Sequence, residues 1–207
     1  MSRASAESRA VASWFTVSVL ILLRHGRTAS NATGLLQGHV DNPLDDIGVN
    51  QIRQVAAALG PVDRVITSSL LRARQTGAVF DAPSSIDDRW IELDYGDFDG
   101  RPLADVPPEI WARWRTDPTY AAPGGESLQH LGVRVGDAVA DALEIARHET
   151  VVVVSHVSPI KAAVAWTLGG DVSMSWRFQL DQAAVSRIGL GPNGAVLRSF
   201  NEVLYRT

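Results

Sequence analysis

Leu22-Leu23-Arg24-His25-Gly26-Arg27-Thr28 closes an apolar run that begins at Val17. A buried strand that stops abruptly at arginine, histidine and glycine delivers polar groups to a sheet edge, where open α/β sheets place their ligand sites. The competing reading is an ordinary strand-to-loop turn with a solvated charge cluster. What decides between them is whether other strand ends carry matching chemistry.

They do. Val151 to Val154 is fully apolar and β-branched, as expected of a strand covered on both faces. It ends in Ser155-His156, and Val157-Ser158-Pro159 opens a helix to Leu168, proline being suited to a first turn. Arg64 to Thr67 reads as a short strand, and Ser68-Ser69 are predicted to cap a helix from about Leu70 to Phe80. That helix carries Arg72 in its first turn. A cation at the positive end of a helix is sensible where an anion is bound; simple exposure is the alternative. A further extended stretch, Ser84 to Leu93, leads into Glu92-Leu93-Asp94-Tyr95-Gly96-Asp97-Phe98-Asp99-Gly100, a loop in which Asp94, Asp97 and Asp99 read as acidic turn residues. Strand ends thus offer Arg24, His25, Arg72, Glu92 and His156 to one face of a single α/β sheet.

The intervening segments supply scaffold. Thr28 to Pro43 is a long loop with Asn31, Gln37 and Gly38, and loops of that length inside compact domains are usually functional. Asp45 caps a helix whose apolar positions Val49, Ile52, Val55, Ala56 and Leu59 recur at helical spacing until Gly60-Pro61. Residues 101–125 are rich in proline and aromatics, with a short helix Pro108 to Thr116 that carries Trp111 and Trp114 one turn apart. The pair reads first as core and second as part of a lid. Ser127 precedes a long helix with Leu128, Leu131, Val135, Val139, Ala142 and Leu143 as its buried stripe. Ala183 to Gly189 and Ala195 to Asn201 form a terminal hairpin around Gly191-Pro192-Asn193-Gly194.

Composition narrows the chemistry. The 207 residues suit one domain, 14–207, behind a loose tail, 1–13, that lacks apolar periodicity. The absence of cysteine excludes disulfides, thiolate metal sites and a cysteine nucleophile. A net charge of -4 argues against nucleic-acid or anionic-membrane partners. Trp14 to Leu23 is too short to span a bilayer, so a cytoplasmic location is expected. Of 19 basic residues only Lys161 is lysine, so nearly every positive charge is a planar fork suited to phosphate or carboxylate. His25, His39, His130, His148 and His156 have no close helical pairing, and arginine beside His25 repels a cation; no metal or other cofactor is expected. Forks and imidazoles together fit phosphoryl transfer, in which catalysis is largely positioning and charge stabilisation. A homodimer through Trp176 or the final hairpin is a further expectation, though either could be core.

The motifs resemble those of the histidine phosphatase superfamily, the phosphoglycerate mutase-like proteins, in the branch with a short lid. The resemblance rests on Arg24-His25-Gly26-Arg27-Thr28 with Asn31, Gln37-Gly38 with Asp41 and Pro43-Leu44, Ser68 to Thr76 around Arg72, Glu92 with Gly96 and Gly100, Gly124-Gly125-Glu126-Ser127, and Ser155-His156. It implies a three-layer α/β/α sandwich with a mostly parallel central sheet and a lid-like insertion at about 101–125. It also implies a metal-independent phosphomonoesterase acting on a small phosphorylated metabolite. In that scheme His25 attacks phosphorus to form a phosphohistidine, while Arg24, Arg72 and His156 hold phosphoryl oxygens, with Asn31, Gln37 and Gly38 adding contacts. Glu92 serves as proton donor and later as base. Tyr95, Phe98, Trp111, Arg113, Trp114 and Arg115 are expected to line the leaving-group side. Val157 departs from the family's glycine after the second histidine and narrows the pocket. A phosphoglycerate mutase and a non-catalytic phospho-ligand binding module are the alternatives; the short 101–125 span speaks against the first, and the intact His25 and Glu92 against the second.

Overall fold

A computed structural model describes residues 19–206; the expected tail 1–13 and the start of the first apolar run lie outside the described residues. Six strands form one sheet in the order β3-β2-β4-β1-β5-β6, with β1 at Val19–Arg24, β2 at Arg64–Thr67, β3 at Ser84–Ile86, β4 at Val151–Ser155, β5 at Val185–Gly191 and β6 at Gly194–Glu202. β3, β2, β4 and β1 run parallel, whereas β5 pairs antiparallel with both β1 and β6.

Among the described residues the six α-helices are α1 (Ala29–Thr33), α2 (Asp46–Leu59), α3 (Leu71–Gly77), α4 (Pro108–Thr116), α5 (Leu128–Ile145) and α6 (Val157–Thr167). The period-2 alternation of β1 and β4 sorts the core into two layers. Leu20, Leu22, Val151 and Val153 pack against the apolar stripe of α5 and against Ile160 and Ala163 of α6. Val19, Ile21, Leu23, Val152 and Val154 face Ile52 and Val55 of α2 and Ala73 of α3. The fold is therefore a three-layer α/β/α sandwich.

Two local expectations need correction. Ser68 and Ser69 do not cap the helix after β2: α3 begins at Leu71 with Leu70 as an N-cap that makes no side-chain hydrogen bond, and it ends at Gly77 rather than Phe80. The main-chain N–H groups of Ser69 and Leu71 donate instead to the carboxylates of Asp88 and Asp41, so carboxylates of the chain itself take the place expected for a bound anion. Ser84 to Leu93 is extended only through Ile86; Asp87 then accepts from Arg89 N–H and turns Asp88–Trp90 into a 3-10 helix. That turn buries Trp90 completely and carries Glu92 towards the end of β4.

Parallel register sets the site. Arg24 lies level with Ser155, and Thr67 with Val154, so the residues that follow β1, β2 and β4 emerge together. The sheet changes direction beside β1, between parallel β4 and antiparallel β5.

Candidate active site

His25 is 3% exposed and sits just beyond β1. Its Nδ1 lies 2.7 Å from the carbonyl oxygen of Gly26. A carbonyl only accepts, so Nδ1 carries the proton and the lone pair of a neutral ring resides on Nε2. Burial, followed by the charges of Arg72 and Arg24, holds the His25 pKa well below the usual 6.5. Burial and the two arginines favour the neutral imidazole, and the Gly26 contact fixes the orientation of the ring. Gly26 is required there by close approach: a side chain would meet the Gly48 carbonyl and Ile52 of α2.

Arg24 is 8% exposed; its Nη1 donates to Leu180 O at 2.6 Å, while its buried Nε has no partner. Burial outweighs the nearby carboxylates and lowers its pKa to about 10. Arg72 is fully buried. It donates from Nη2 to Gly38 O (2.6 Å), from Nη1 to Val40 O (2.8 Å) and from Nε to His156 Nδ1 (3.2 Å). Three of its five N–H groups are thus spent within the protein.

His156, also fully buried, lies with its ring centroid 5.1 Å from that of His25. Because Arg72 Nε–H donates to its Nδ1, a neutral His156 carries its proton on Nε2 and gives it to Ser68 Oγ at 2.7 Å. Burial and then Arg72 push its pKa well below 6.5. Both ring nitrogens are engaged in this arrangement.

Glu92, 3% exposed, reaches the N-terminus of α6. Its carboxylate accepts from Leu93 N–H (2.7 Å), Val157 N–H (3.0 Å) and Ser158 N–H (3.2 Å). Asp99 holds the Gly38–Val40 loop from the other side, accepting from the N–H groups of Gly38, His39 and Val40 at 2.6, 2.7 and 2.9 Å. The loop is therefore clamped by its carbonyls to Arg72 and by its amides to Asp99.

These groups surround a cavity of about 300 Å³. Arg24, His25, Asn31, Gln37 and Glu92 are among its polar lining residues, and Leu35, Leu36, Leu103, Trp111, Trp114 and Trp176 among its apolar ones. Of the expected contacts, Asn31, Gln37, Tyr95, Trp111 and Trp114 line the cavity, whereas Gly38 is tied up by Arg72 and Asp99. Arg113 instead stacks over Tyr120, 3.9 Å from the ring centroid, and Arg115 lies over Trp111 and Trp176 outside the cavity. Phe98 packs edge-on against Trp114. Trp114 is both core and wall, at 4% exposure and in edge contact with Tyr95 and Trp111. Val157 does line the pocket, as the departure from glycine anticipates.

Sequence reasoning passes over Lys161, Ser158 and Ser175, all of which line the cavity. For Lys161 a signal exists, since it follows Val157 by four residues and shares its helical face. Asp99 is likewise more than a turn residue. Among the described residues no three His, Cys, Asp or Glu side chains converge as a metal site, and no helix is long and apolar enough to cross a membrane.

The geometry has counterparts in known proteins. The chain is 31% identical over 192 residues to the adenosylcobalamin/alpha-ribazole phosphatase of Escherichia coli (strain K12), covering 88% of this chain and 95% of that one. It is 35% identical over 178 residues to the probable phosphoglycerate mutase GpmB of Enterobacter sp. (strain 638), covering 81% and 82%. A crystal structure of a mutant phosphoserine phosphatase from Entamoeba histolytica, in complex with phosphoserine, superposes with a TM-score of 0.83 at 26% identity, covering 89% of this chain and 97% of that one. The family model for branch 1 of the histidine phosphatase superfamily matches residues 20–203, and the chain belongs to that family.

Proposed function

We propose that this phosphatase hydrolyses a small phosphomonoester by covalent catalysis at His25. The observation that carries the reading is the neutral His25 ring, with Nδ1–H anchored on Gly26 O and Nε2 left with its lone pair. In the first step that lone pair forms the N–P bond as the ester P–O bond breaks, and Glu92 gives a proton to the departing alkoxide. In the second, Glu92 takes a proton from water as the water oxygen bonds to phosphorus and the N–P electrons return to Nε2. Arg24 offsets the negative charge of the transferring group. Arg72 and His156 support it from behind by bracing the Gly38–Val40 loop and each other.

The test is a rapid quench with ³²P-labelled phosphomonoester. An acid-labile, base-stable label on the wild-type protein, lost in His25→Ala together with turnover, is expected; normal turnover by His25→Ala would end the proposal. The relative named as a probable phosphoglycerate mutase favours one second reading. Isomerisation of 3-phosphoglycerate in the presence of bisphosphoglycerate, at a rate above its hydrolysis, would replace the phosphatase reading by that one. A cytoplasmic location accompanies the metabolite chemistry, and a homodimer stands as a separate expectation to be read by light scattering.

A further inference from the structure

Lys161 has a setting that the phosphoryl chemistry does not use. It lies on the face of α6 that also carries Val157 and Ser158, and all three line the cavity. Its ammonium has neither a hydrogen-bond acceptor nor an ion-pair carboxylate among the described residues. The side chain is only partly exposed, and burial, then the charge of Arg24, disfavour its charged form while Glu92 opposes them. A half-desolvated ammonium without a partner is costly to the free protein.

The remaining lining says what would relieve it. Arg24 flanks His25 at the phosphoryl end, and Arg113 and Arg115 are engaged on aromatic rings outside the cavity. Lys161 is thus the one lining cation left over, a single point charge rather than a fork. Beside it, Ser158 Oγ and Tyr95 OH lie 3.2 Å apart. Two hydroxyls sharing one mutual hydrogen bond leave the second proton free to donate. Burial and Glu92 raise the Tyr95 pKa, which keeps the phenol protonated. The apolar part of the lining, Leu35, Leu36, Leu103, Trp111 and Trp176, offers no charge.

We propose that Lys161 is a specificity-determining residue that holds a carboxylate carried by the leaving alcohol, with the adjacent Tyr95–Ser158 hydroxyl pair as its neutral co-donor. The assignment rests on the phosphatase reading of the same cavity. The preferred substrates are small phosphomonoesters of hydroxy acids: phosphate against His25 and Arg24, carboxylate on the α6 side, carbon skeleton on the aromatic wall. A second phosphate is a poorer fit, because a dianion would face only this one uncommitted cation.

The experiment compares kcat/KM within matched pairs that differ in the carboxylate, phosphoserine against phosphoethanolamine and 3-phosphoglycerate against glycerol 3-phosphate. The wild type is expected to favour the carboxylated member about 10- to 100-fold, the range of a charge-assisted hydrogen bond. Lys161→Met should bring that ratio close to one, mainly through KM, and Lys161→Arg should restore part of it. A purely structural role would slow both members of a pair alike and leave the ratio standing, which would overturn the assignment. Hydrolysis of both members by the wild type without discrimination would also overturn it while sparing the phosphatase reading. Failure to hydrolyse any of the four esters would overturn the assignment too, and would leave the phosphatase reading to the rapid-quench test with His25→Ala.

Discussion

The two buried histidines make acid stability a sharp test of the site. His25 and His156 are 3% and 0% exposed, and burial together with Arg72 and Arg24 keeps both neutral well below their ordinary pKa of 6.5. In the unfolded chain both take up a proton as pH falls through 6.5; in the folded chain neither does until much lower pH. A depressed folded pKa contributes stability that is present above the unfolded value and lost as pH falls towards the folded one. Each ring removes RT ln(1 + 10) at one unit below 6.5, about 1.4 kcal/mol. The pair therefore costs about 2.7 kcal/mol between pH 7.5 and 5.5, a large share of the stability of an ordinary domain.

Urea unfolding at half-unit intervals, extrapolated linearly, reads the slope directly. His39 is partly exposed and His130 and His148 are exposed; their contributions, and those of the carboxylates, cancel when variants are compared with the wild type. His25→Gln and His156→Gln should each reduce the loss over this interval by about 1.4 kcal/mol, whatever either does to stability at pH 7.5. A wild-type loss below about 1 kcal/mol in this interval, or an unchanged slope in both variants, would refute the claim that the rings are held neutral.

Two further outcomes follow from packing. Trp90 is fully buried and its Nε1–H has no partner, so Trp90→Phe should stay within about 1 kcal/mol of wild type in urea unfolding, the removed unmet donor offsetting lost volume, whereas Trp90→Ala should cost about 3–5 kcal/mol; equal losses would show that the N–H is not a burden. Gly48 lies at the start of α2 against the main chain of Arg27, so Gly48→Ala should lower both stability and kcat/KM by displacing the His25 loop, although alanine is the better helix former by about 1 kcal/mol; a stabilised, fully active variant would contradict that contact.

How much of this was legible beforehand varies with where the partner lies. The strands Val19–Arg24 and Val151–Ser155 were readable because an unbroken apolar, β-branched run reports burial on both faces. Caps at Asp45 and Ser127 were readable because their acceptors serve N–H groups three residues on. Ser68 misled for the opposite reason: its hydroxyl serves His156, 88 residues away, and only the register of β2 on β4 brings them together. Asp99 was equally opaque, its three amide donors lying 59 to 61 residues upstream. Lys161 stood out in composition and shares a helical face with Val157, but its place in the cavity also depends on how α6 packs against Tyr95 and the rest of the lining, which local sequence does not encode.

The distribution of main-chain N–H groups explains why the candidate site relies on side chains. Three places could have cradled an anion with backbone amides: the starts of α3 and α6, and the Gly38–Val40 loop. Each is filled by a carboxylate of the chain, Asp41 and Asp88 at the first, Glu92 at the second and Asp99 at the third. The phosphoryl charge must then be met by side-chain donors. Among the described residues, four buried side-chain atoms lack a hydrogen-bond partner, and three of them, Arg24 Nε, Gln37 Nε2 and Ser175 Oγ, belong to residues that line the cavity with His25. Unmet buried donors are costly and therefore rare, so their occurrence in the lining of one cavity sets that cavity apart from the rest of the interior. Anchoring Glu92 on α6 has a matching consequence. Three main-chain bonds fix its carboxyl between Leu93 and the first turn of α6, in the lining that it shares with His25.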